Sequence, residues 1–264
     1  ISFTEPENKK GNEFLNKIGL LPGDKYVCLI IRDPAYKTKF FPTLPENQTT
    51  HRNSDIGNYV SSAQYLLEKG YWIFRMGKLV EGPMNIEHKR FLDYACSDIK
   101  TDFLDIWLNA NCDFAISNGS GLDEVQKTFR KALLHVNICP PSEIISGHKN
   151  VLSIFKKFID ADSGEYISLN QMIKRDLFEL KLDQQFEEKN IIIKDNTSEE
   201  ILSALKEFEL RSDGLWNEST EYQELHDIFF EKLNKWDNYE RYHGQILGKI
   251  SETFLLNNRY LFRD

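Results

Sequence analysis

The sequence has few of the features that mark several common classes of protein. Its 264 residues include four cysteines and no Cys-x-x-Cys pair, so we expect free thiols and no cysteine zinc site. It has no run of the roughly 18 apolar residues that a membrane-spanning helix needs, and no visible signal peptide. A net charge of −8 argues against a nucleic-acid-binding surface spread over the chain. We therefore expect a cytoplasmic protein, with the inner face of the membrane as an alternative position, and no nucleic-acid partner.

Several catalytic and nucleotide-binding motifs are also absent. A Gly-x-Ser-x-Gly elbow, which marks many serine hydrolases, does not occur. Neither the dinucleotide fingerprint nor the phosphate-binding loop with its lysine is present. The six histidines show no metal-ligand spacing, and Asp160-Ala161-Asp162 is followed by Ser163-Gly164, which indicates a turn. We expect neither a metal nor a cofactor.

The residues that are present indicate a folded α/β protein. A hydrophobic fraction of 41% and an aromatic fraction of 12% suit a sizeable core. Four short apolar runs have the composition of buried strands: 26–31, 71–74, 113–116 and 132–138. Helical segments lie between them, and this alternation predicts a Rossmann-like parallel sheet with flanking helices.

The chain divides into three predicted parts. Residues 1–13 are polar and are interpreted as a tail or linker. Residues 14–210 form the α/β domain, and residues 211–264 form a helical C-terminal extension packed on that domain. Within these parts we expect helices at 153–158 and 239–256 and one more strand at 190–195.

Charged residues follow the predicted strands. Arg32 comes directly after the first strand, Arg75 ends the second, and Arg52 lies in the loop before a helix. The carboxyl ends of parallel strands meet at one edge of a sheet, where open α/β sheets bind ligands. Each arginine is either a structural ion-pair partner or an anion clamp, and the sequence leaves both possibilities open. Beside Arg32, Asp33 could orient the guanidinium against a phosphate.

A loop of small residues follows the third strand. It reads Ser117-Asn118-Gly119-Ser120-Gly121 and leads into a predicted helix. Small residues allow close approach of the backbone, and the free N–H groups of a helix start attract anions. The alternative is an ordinary turn and helix cap. Together with the arginines, the loop suggests a ligand that carries a diphosphate. His135 lies inside a strand and is expected to be a hydrogen-bonded core residue.

Five segments, in this combination and order, resemble a family of bacterial surface-polysaccharide glycosyltransferases. They are Cys28–Asp33, His51–Ile56 with Tyr59, Gly70–Gly77, Asp102–Ile106 and Ser120–Leu122. They include Arg52-Asn53-Ser54-Asp55-Ile56 and Arg75-Met76-Gly77. The resemblance runs from about Phe14 to Pro140 and more weakly to Leu256. It implies a GT-B-like fold, with this chain as the C-terminal, donor-binding half.

The resemblance also implies an activity. The enzyme would move a sugar from a nucleotide-activated donor to a bacterial surface glycan, with a glycan or lipid-linked glycan as acceptor. Arg32 and Arg75 would neutralise the departing phosphates, so that no metal is needed. Arg52 and the residues from Ser117 to Gly121 would bind the donor. Three carboxylates are candidates for the base or for ribose binding, and the sequence does not choose among them: Asp55, Asp102 and Asp105.

Two further expectations follow. If this chain is a donor-binding half, a missing N-terminal GT-B half would supply the acceptor site, and the chain alone should bind a donor but transfer sugar poorly. The rival interpretation is a non-catalytic nucleotide- or carbohydrate-binding module whose sheet edge only holds a ligand. Turnover of the donor distinguishes the two.

Overall fold

The architecture is a parallel sheet with helices on both faces. The computed structural model describes residues 1–43, 45 and 48–263. The strands are β1 (Tyr26–Ile30), β2 (Trp72–Met76), β3 (Phe91–Leu92), β4 (Phe114–Ser117), β5 (Ala132–Ile138), β6 (Val151–Phe155), β7 (Lys157–Asp160), β8 (Ile191–Lys194) and β9 (Lys249–Ile250). Seven of them form the main sheet in the order β3-β2-β1-β4-β5-β6-β9, and all neighbouring pairs are parallel. The predicted fold class is confirmed.

Helices connect most of these strands. They are α1 (Glu5–Lys17), α2 (Ala35–Phe40), α3 (Val60–Glu68), α4 (Asp102–Asn111), α5 (Asp123–Phe129), α6 (Leu169–Lys174), α7 (Asp183–Glu188), α8 (Ser198–Ser212), α9 (Thr220–Leu233), α10 (Tyr239–Tyr242) and α11 (Glu252–Asn257). In the described part of the chain, no helix has the length and apolar composition of a membrane span.

The main sheet is buried on both faces, which explains its continuous apolar strands. Every residue of β1 is buried, with Val27 and Leu29 in one hydrophobic cluster and Cys28 and Ile30 in the other. Successive side chains of a strand point to opposite faces, so both faces need apolar residues. All four cysteines are free, as predicted.

The strand order places a crevice at the middle of the sheet. From β1 the chain winds outward to β2 and β3, and it then returns to add β4, β5 and β6 on the other side of β1. The loops after β1 and β4 therefore lead away from each other, and ligands bind at such switch points in open α/β sheets. Ile30 pairs with Ser117 at this position.

Most of the N-terminal segment is helical, whereas the sequence predicted a tail or linker at residues 1–13. Helix α1 begins after Thr4, whose side chain and that of Glu7 form a capping box. A Cβ atom at Gly11 would lie 2.1 Å from Trp107, so α1 and α4 approach closely only because this residue is glycine. The segment was missed because its buried face consists of Gly11 and Leu15, a weak apolar signal.

Tertiary pairing overrides two further predictions. The segment predicted as a helix at 153–158 forms strands β6 and β7, because a single short helix is marginal and pairing with β5 buries all of β6. The strand predicted at 190–195 is β8, which pairs antiparallel with β7 outside the main sheet.

The helix predicted at 239–256 is interrupted by β9, the last strand of the main sheet. A Cβ atom at Gly248 would lie 2.4 Å from the Ile145 carbonyl oxygen, so the chain passes there without a side chain.

Candidate functional site

Asn118 joins the loops at the switch-point crevice. Its side-chain oxygen accepts a hydrogen bond from the main-chain N–H of Arg32 at 2.8 Å. Its amide nitrogen donates to the Arg52 carbonyl oxygen at 3.1 Å and to Ser54 Oγ at 2.8 Å. Asn118 is 3% exposed, so these bonds are protected from water. One side chain thereby fixes the segments that follow β1 and β4 against the loop that carries Arg52.

Two guanidinium groups lie in this crevice. Arg52 Nη2 donates to the Gly119 carbonyl oxygen at 3.3 Å, and Arg32 Nη2 donates to Thr49 Oγ1 at 3.2 Å. Within the described ranges, neither guanidinium has a carboxylate within 4 Å. Burial, and after it the charge of Arg52, lower the pKa of Arg32 to about 10, although the charge of Asp183 acts in the opposite direction. Positive charge that is not neutralised by the protein favours an anion at this place.

Asp183, at the start of α7, anchors the loop that carries Arg52. Its carboxylate accepts hydrogen bonds from Thr50 N at 2.6 Å, from Thr50 Oγ1 at 2.7 Å and from His51 N at 3.0 Å, and it also contacts His51 Nδ1. Burial raises the pKa of Asp183, but the bonds from His51 and Thr50 outweigh burial and hold the pKa below its usual value. The four donors keep the turn in place and hold Arg52 over Gly119.

A buried lysine directly after β6 supports the same loop. Lys156 Nζ donates to the Asn53 carbonyl oxygen at 2.6 Å and lies 2.6 Å from Asp195 Oδ1. Sequence reasoning missed both Lys156 and Asp183. Lys156 follows an apolar strand just as Arg32 does, so the signal existed, but its segment was interpreted as a helix. Asp183 lies 133 residues from Thr50, and no local sequence pattern predicts that contact.

Hydrogen-bond donors of the loop after β4 bond to the protein itself, whereas the sequence predicted that they bind an anionic ligand. Asp123 Oδ2 accepts from Ser117 Oγ at 3.1 Å and from Ser120 N at 3.3 Å, and Asp123 is 2% exposed. The protein's own carboxylate thus accepts two hydrogen bonds that the loop would otherwise offer to a pyrophosphate. Helix α5 has only seven residues, and Gly121 faces open space. The geometry favours the turn-and-cap alternative for Ser120 and Gly121.

The two glycines of this loop should respond differently to alanine. Gly119 has φ +85°, and its Cβ would lie 3.4 Å from His135 Nε2, whereas a Cβ at Gly121 meets nothing within 4 Å. We expect Gly119→Ala to lower the free energy of unfolding by about 1–2 kcal/mol, the cost of left-handed backbone with a side chain. Gly121→Ala is the matched control and should change it little. Urea unfolding measures both, and equal losses would contradict the assignment.

Arg75 lies in a separate buried ion-pair cluster. Its Nη1 donates to the Gly82 carbonyl oxygen at 2.6 Å and to Asp93 Oδ2 at 3.2 Å, and its Nη2 lies 3.8 Å from Asp33 Oδ2. The side chain is 2% exposed. The geometry therefore favours the structural alternative for Arg75 over a phosphate clamp shared with Arg32.

Asp33 does not orient Arg32, so that prediction is wrong. Its carboxylate accepts from Ala35 N and from Glu81 N, both at 3.0 Å, and faces Arg75. The side chain of Asp33 thus belongs to the ion-pair cluster around Arg75, although Arg32, the preceding residue, lies in the crevice.

The three candidate acids have their partners elsewhere. Asp55 is exposed and accepts from Gly57 N at 2.8 Å, so it caps the turn Ile56–Tyr59. Asp102 is exposed and pairs with Lys78, whose hydrogen bond lowers the pKa of Asp102. Burial raises the pKa of Asp105 on α4 and outweighs its interactions with Lys78 and Tyr94. The structure brings none of them to Arg32 and Arg52 as a bonding partner.

A small pocket of about 60 Å³ lies beneath Arg52, between the ends of β4 and β5. Its lining includes Gly119, Ser120, Lys127 and His135. Both ring nitrogens of His135 are buried and make no hydrogen bond to any described residue, which corrects the predicted hydrogen-bonded core histidine. Burial lowers the pKa of His135 to about 3, so its ring is neutral at physiological pH.

Carboxylates and histidines do not gather into a metal site in the parts of the chain that the structure describes. Asp160 holds a turn, as its sequence context indicates. Its Oδ1 accepts from Asp162 N and Ser163 N at 3.1 and 3.0 Å, and its Oδ2 pairs with Arg175 at 2.6 Å.

Comparisons with known proteins give matches among solved structures only. Neither the scan against protein-family models nor the search of curated proteins found a match. The chain is similar to a glycosyl transferase of family 9 from Veillonella parvula DSM 2008, at 16% identity over 80% of this chain and 53% of that one, with a TM-score of 0.47. It is also similar to the ADP-heptose LPS heptosyltransferase II of E. coli, at 13% identity over 81% of this chain and 54% of that one, with a TM-score of 0.43. The chain spans about half the length of each.

Proposed function

We propose that this chain is the donor-binding part of a glycosyltransferase and that Arg32 and Arg52 hold the diphosphate of a nucleotide-activated sugar. The observation that carries the proposal is the pair of guanidinium groups at the switch point, neither of which has a carboxylate partner in the described part of the chain. The resemblance of the sequence to bacterial surface-polysaccharide glycosyltransferases supplies the reaction class. The acceptor is then a glycan or a lipid-linked glycan of the bacterial surface.

The crevice suits departure of a nucleoside diphosphate. Negative charge grows on the leaving phosphate as its bond to the sugar breaks, and fixed cations stabilise that charge. Arg32 and Arg52 are fixed in advance through Thr49, Gly119 and the Asn118 amide, so little reorganisation accompanies the reaction. The GT-B resemblance implies that another half supplies the acceptor site, which brings both reactants into one cleft.

Removing Arg52 should weaken the binding of nucleoside diphosphates. We expect Arg52→Ala to raise the dissociation constant for ADP, UDP or GDP by roughly 10- to 150-fold, since a charged hydrogen bond contributes about 1.5–3 kcal/mol. Arg52→Lys should recover little, because an ammonium cannot make a bidentate contact. Isothermal calorimetry measures each constant.

Arg259→Ala is the matched control, because Arg259 is 63% exposed and pairs with Glu221 on α9. It should bind like the parent. Equal affinity of the parent and Arg52→Ala for every nucleoside diphosphate, or no binding of any of them to the parent, would contradict the proposal.

The second candidate is a non-catalytic nucleotide- or carbohydrate-binding module at the same crevice. It is favoured by one observation: Asp55, Asp102 and Asp105 all have partners outside the crevice, so no base is assigned among the residues that the structure describes. Release of nucleoside diphosphate from nucleotide sugars distinguishes the two candidates. Slow release that disappears in Arg52→Ala supports the transferase, and binding without turnover supports the module.

A further inference from the structure

The pocket beneath Arg52 contains a buried polar side chain that the diphosphate does not use. His135 is 3% exposed, and its Nε2 lies 3.7 Å from Asp123 Oδ2, too far for a hydrogen bond. The same atom faces Gly119 at the top of the pocket. A buried polar group without a partner costs about 1–3 kcal/mol, so a ligand that bonds to it gains affinity.

The strand that carries His135 is irregular at this point. The register between β5 and β6 shifts between His135 and Ile138, and Asn137 has φ +53°. Asn137 is fixed in this conformation because its N–H and side chain bond to Asn196 and Tyr59. Bulges of this kind occur beside binding sites, where they redirect side chains.

The charges around the pocket decide which ligand group fits. Arg52 and Lys127 are positive, and Asp123, Glu124 and Glu143 are acidic. Lys127 already pairs with Glu124 at 2.6 Å. A phosphate placed in this pocket would face three carboxyl groups. Between Arg32 and Arg52, in contrast, it would face two cations that have no carboxylate partner in the described part of the chain. The pocket therefore suits a neutral polar group.

We propose that this pocket receives the hydroxyl groups of the bound nucleotide sugar, from its ribose or from the transferred sugar, and that His135 Nε2 hydrogen-bonds to one of them. The inference rests on the proposed function, since it places the diphosphate at Arg32 and Arg52 next to the pocket. A hydroxyl both donates and accepts, so it pairs with either tautomer of the neutral ring. A volume of about 60 Å³ admits a hydroxyl-bearing edge.

Two substitutions test the role of Nε2. His135→Phe keeps a flat ring without nitrogen, and His135→Gln places an amide where Nε2 lies. The probes are pyrophosphate, then ADP, UDP and GDP, then the glucose conjugates of these nucleotides. We expect His135→Phe to leave pyrophosphate binding within about twofold of the parent and to weaken the nucleotides or their conjugates roughly tenfold, with partial recovery in His135→Gln.

The probes also identify the source of the hydroxyl. Equal losses for nucleotides and conjugates assign it to the ribose, and a loss for conjugates alone assigns it to the sugar. Unchanged binding of both by His135→Phe overturns the inference, while pyrophosphate binding that depends on Arg52 keeps the proposed function. A parent that binds neither pyrophosphate nor nucleotides overturns both.

A measurement on the parent protein covers the case in which His135→Phe does not fold. In ¹⁵N-histidine NMR, the Nε2 resonance of His135, identified by its absence in His135→Gln, should move on saturation with a nucleotide or its conjugate and stay in place with pyrophosphate. If that resonance does not move with any nucleotide or glucose conjugate that binds, the inference fails.

Discussion

Replacing Arg75 with alanine is expected to lower the free energy of unfolding by about 3–5 kcal/mol, the cost of breaking a buried ion pair from one side. The guanidinium lies within β2, is 2% exposed and faces the carboxylates of Asp93 and Asp33. Its removal leaves both acids without their cation and the Gly82 carbonyl oxygen without its donor. Neither acid can recover full hydration, because their side chains are only 15% and 13% exposed.

Urea unfolding of Arg75→Ala and of Lys78→Ala compares the loss of a buried cation with the loss of an exposed one. Lys78 pairs with Asp102 in an exposed position, so its removal should cost less than about 1 kcal/mol. In a double variant, Asp93→Asn should recover part of the loss, because no ionised carboxylate then remains beside the missing guanidinium. An Arg75→Ala protein of normal stability that no longer binds nucleoside diphosphates would instead restore the anion-clamp interpretation.

Much of the sheet could be predicted from the sequence, and the reason is burial. Strands covered on both faces need continuous apolar runs, and β1 and β5 have them. The failures lie where the local sequence is ambiguous and a distant partner decides. Five residues of β6 form a strand because β5 lies beside them, and Lys249–Ile250 becomes a sheet edge because it pairs with β6.

The site could be predicted only as far as one rule reaches: residues that follow parallel strands lie at the same edge of the sheet. That rule led to Arg32 and to Asn118, which the structure brings together in the crevice. It could not separate Arg32 from Arg75, since the difference is set by the carboxylates that tertiary structure brings to each guanidinium. The same limit applies to His135: its position in a strand was evident, but its lack of a partner depends on the loop above it.

The second large effect expected is a loss of stability in mild acid, caused by buried neutral histidines. Burial lowers the pKa of His135 from an ordinary value of 6.5 to about 3. Between these values the unfolded chain binds a proton that the folded protein does not, so the free energy of unfolding falls as the pH falls. Burial lowers the pKa of His226 to about 4 and acts in the same direction on His51. His135 alone should cost about 1.4 kcal/mol per pH unit below 6.5, or roughly 2–3 kcal/mol by pH 4.5.

Urea unfolding at pH 7.5, 6.5, 5.5 and 4.5 measures this loss. The series ends at 4.5 because carboxylates titrate increasingly below that pH and would add their own effect on stability. His135→Gln carries no titrating ring, so its stability should fall less steeply than the parent's, by up to about 1.4 kcal/mol per pH unit. His88→Gln is the control for replacing a histidine with glutamine, because His88 is exposed. Identical slopes for His135→Gln and the parent would mean that the folded protein already accommodates a charged ring at position 135, and His135 would then have to be hydrated or paired in solution.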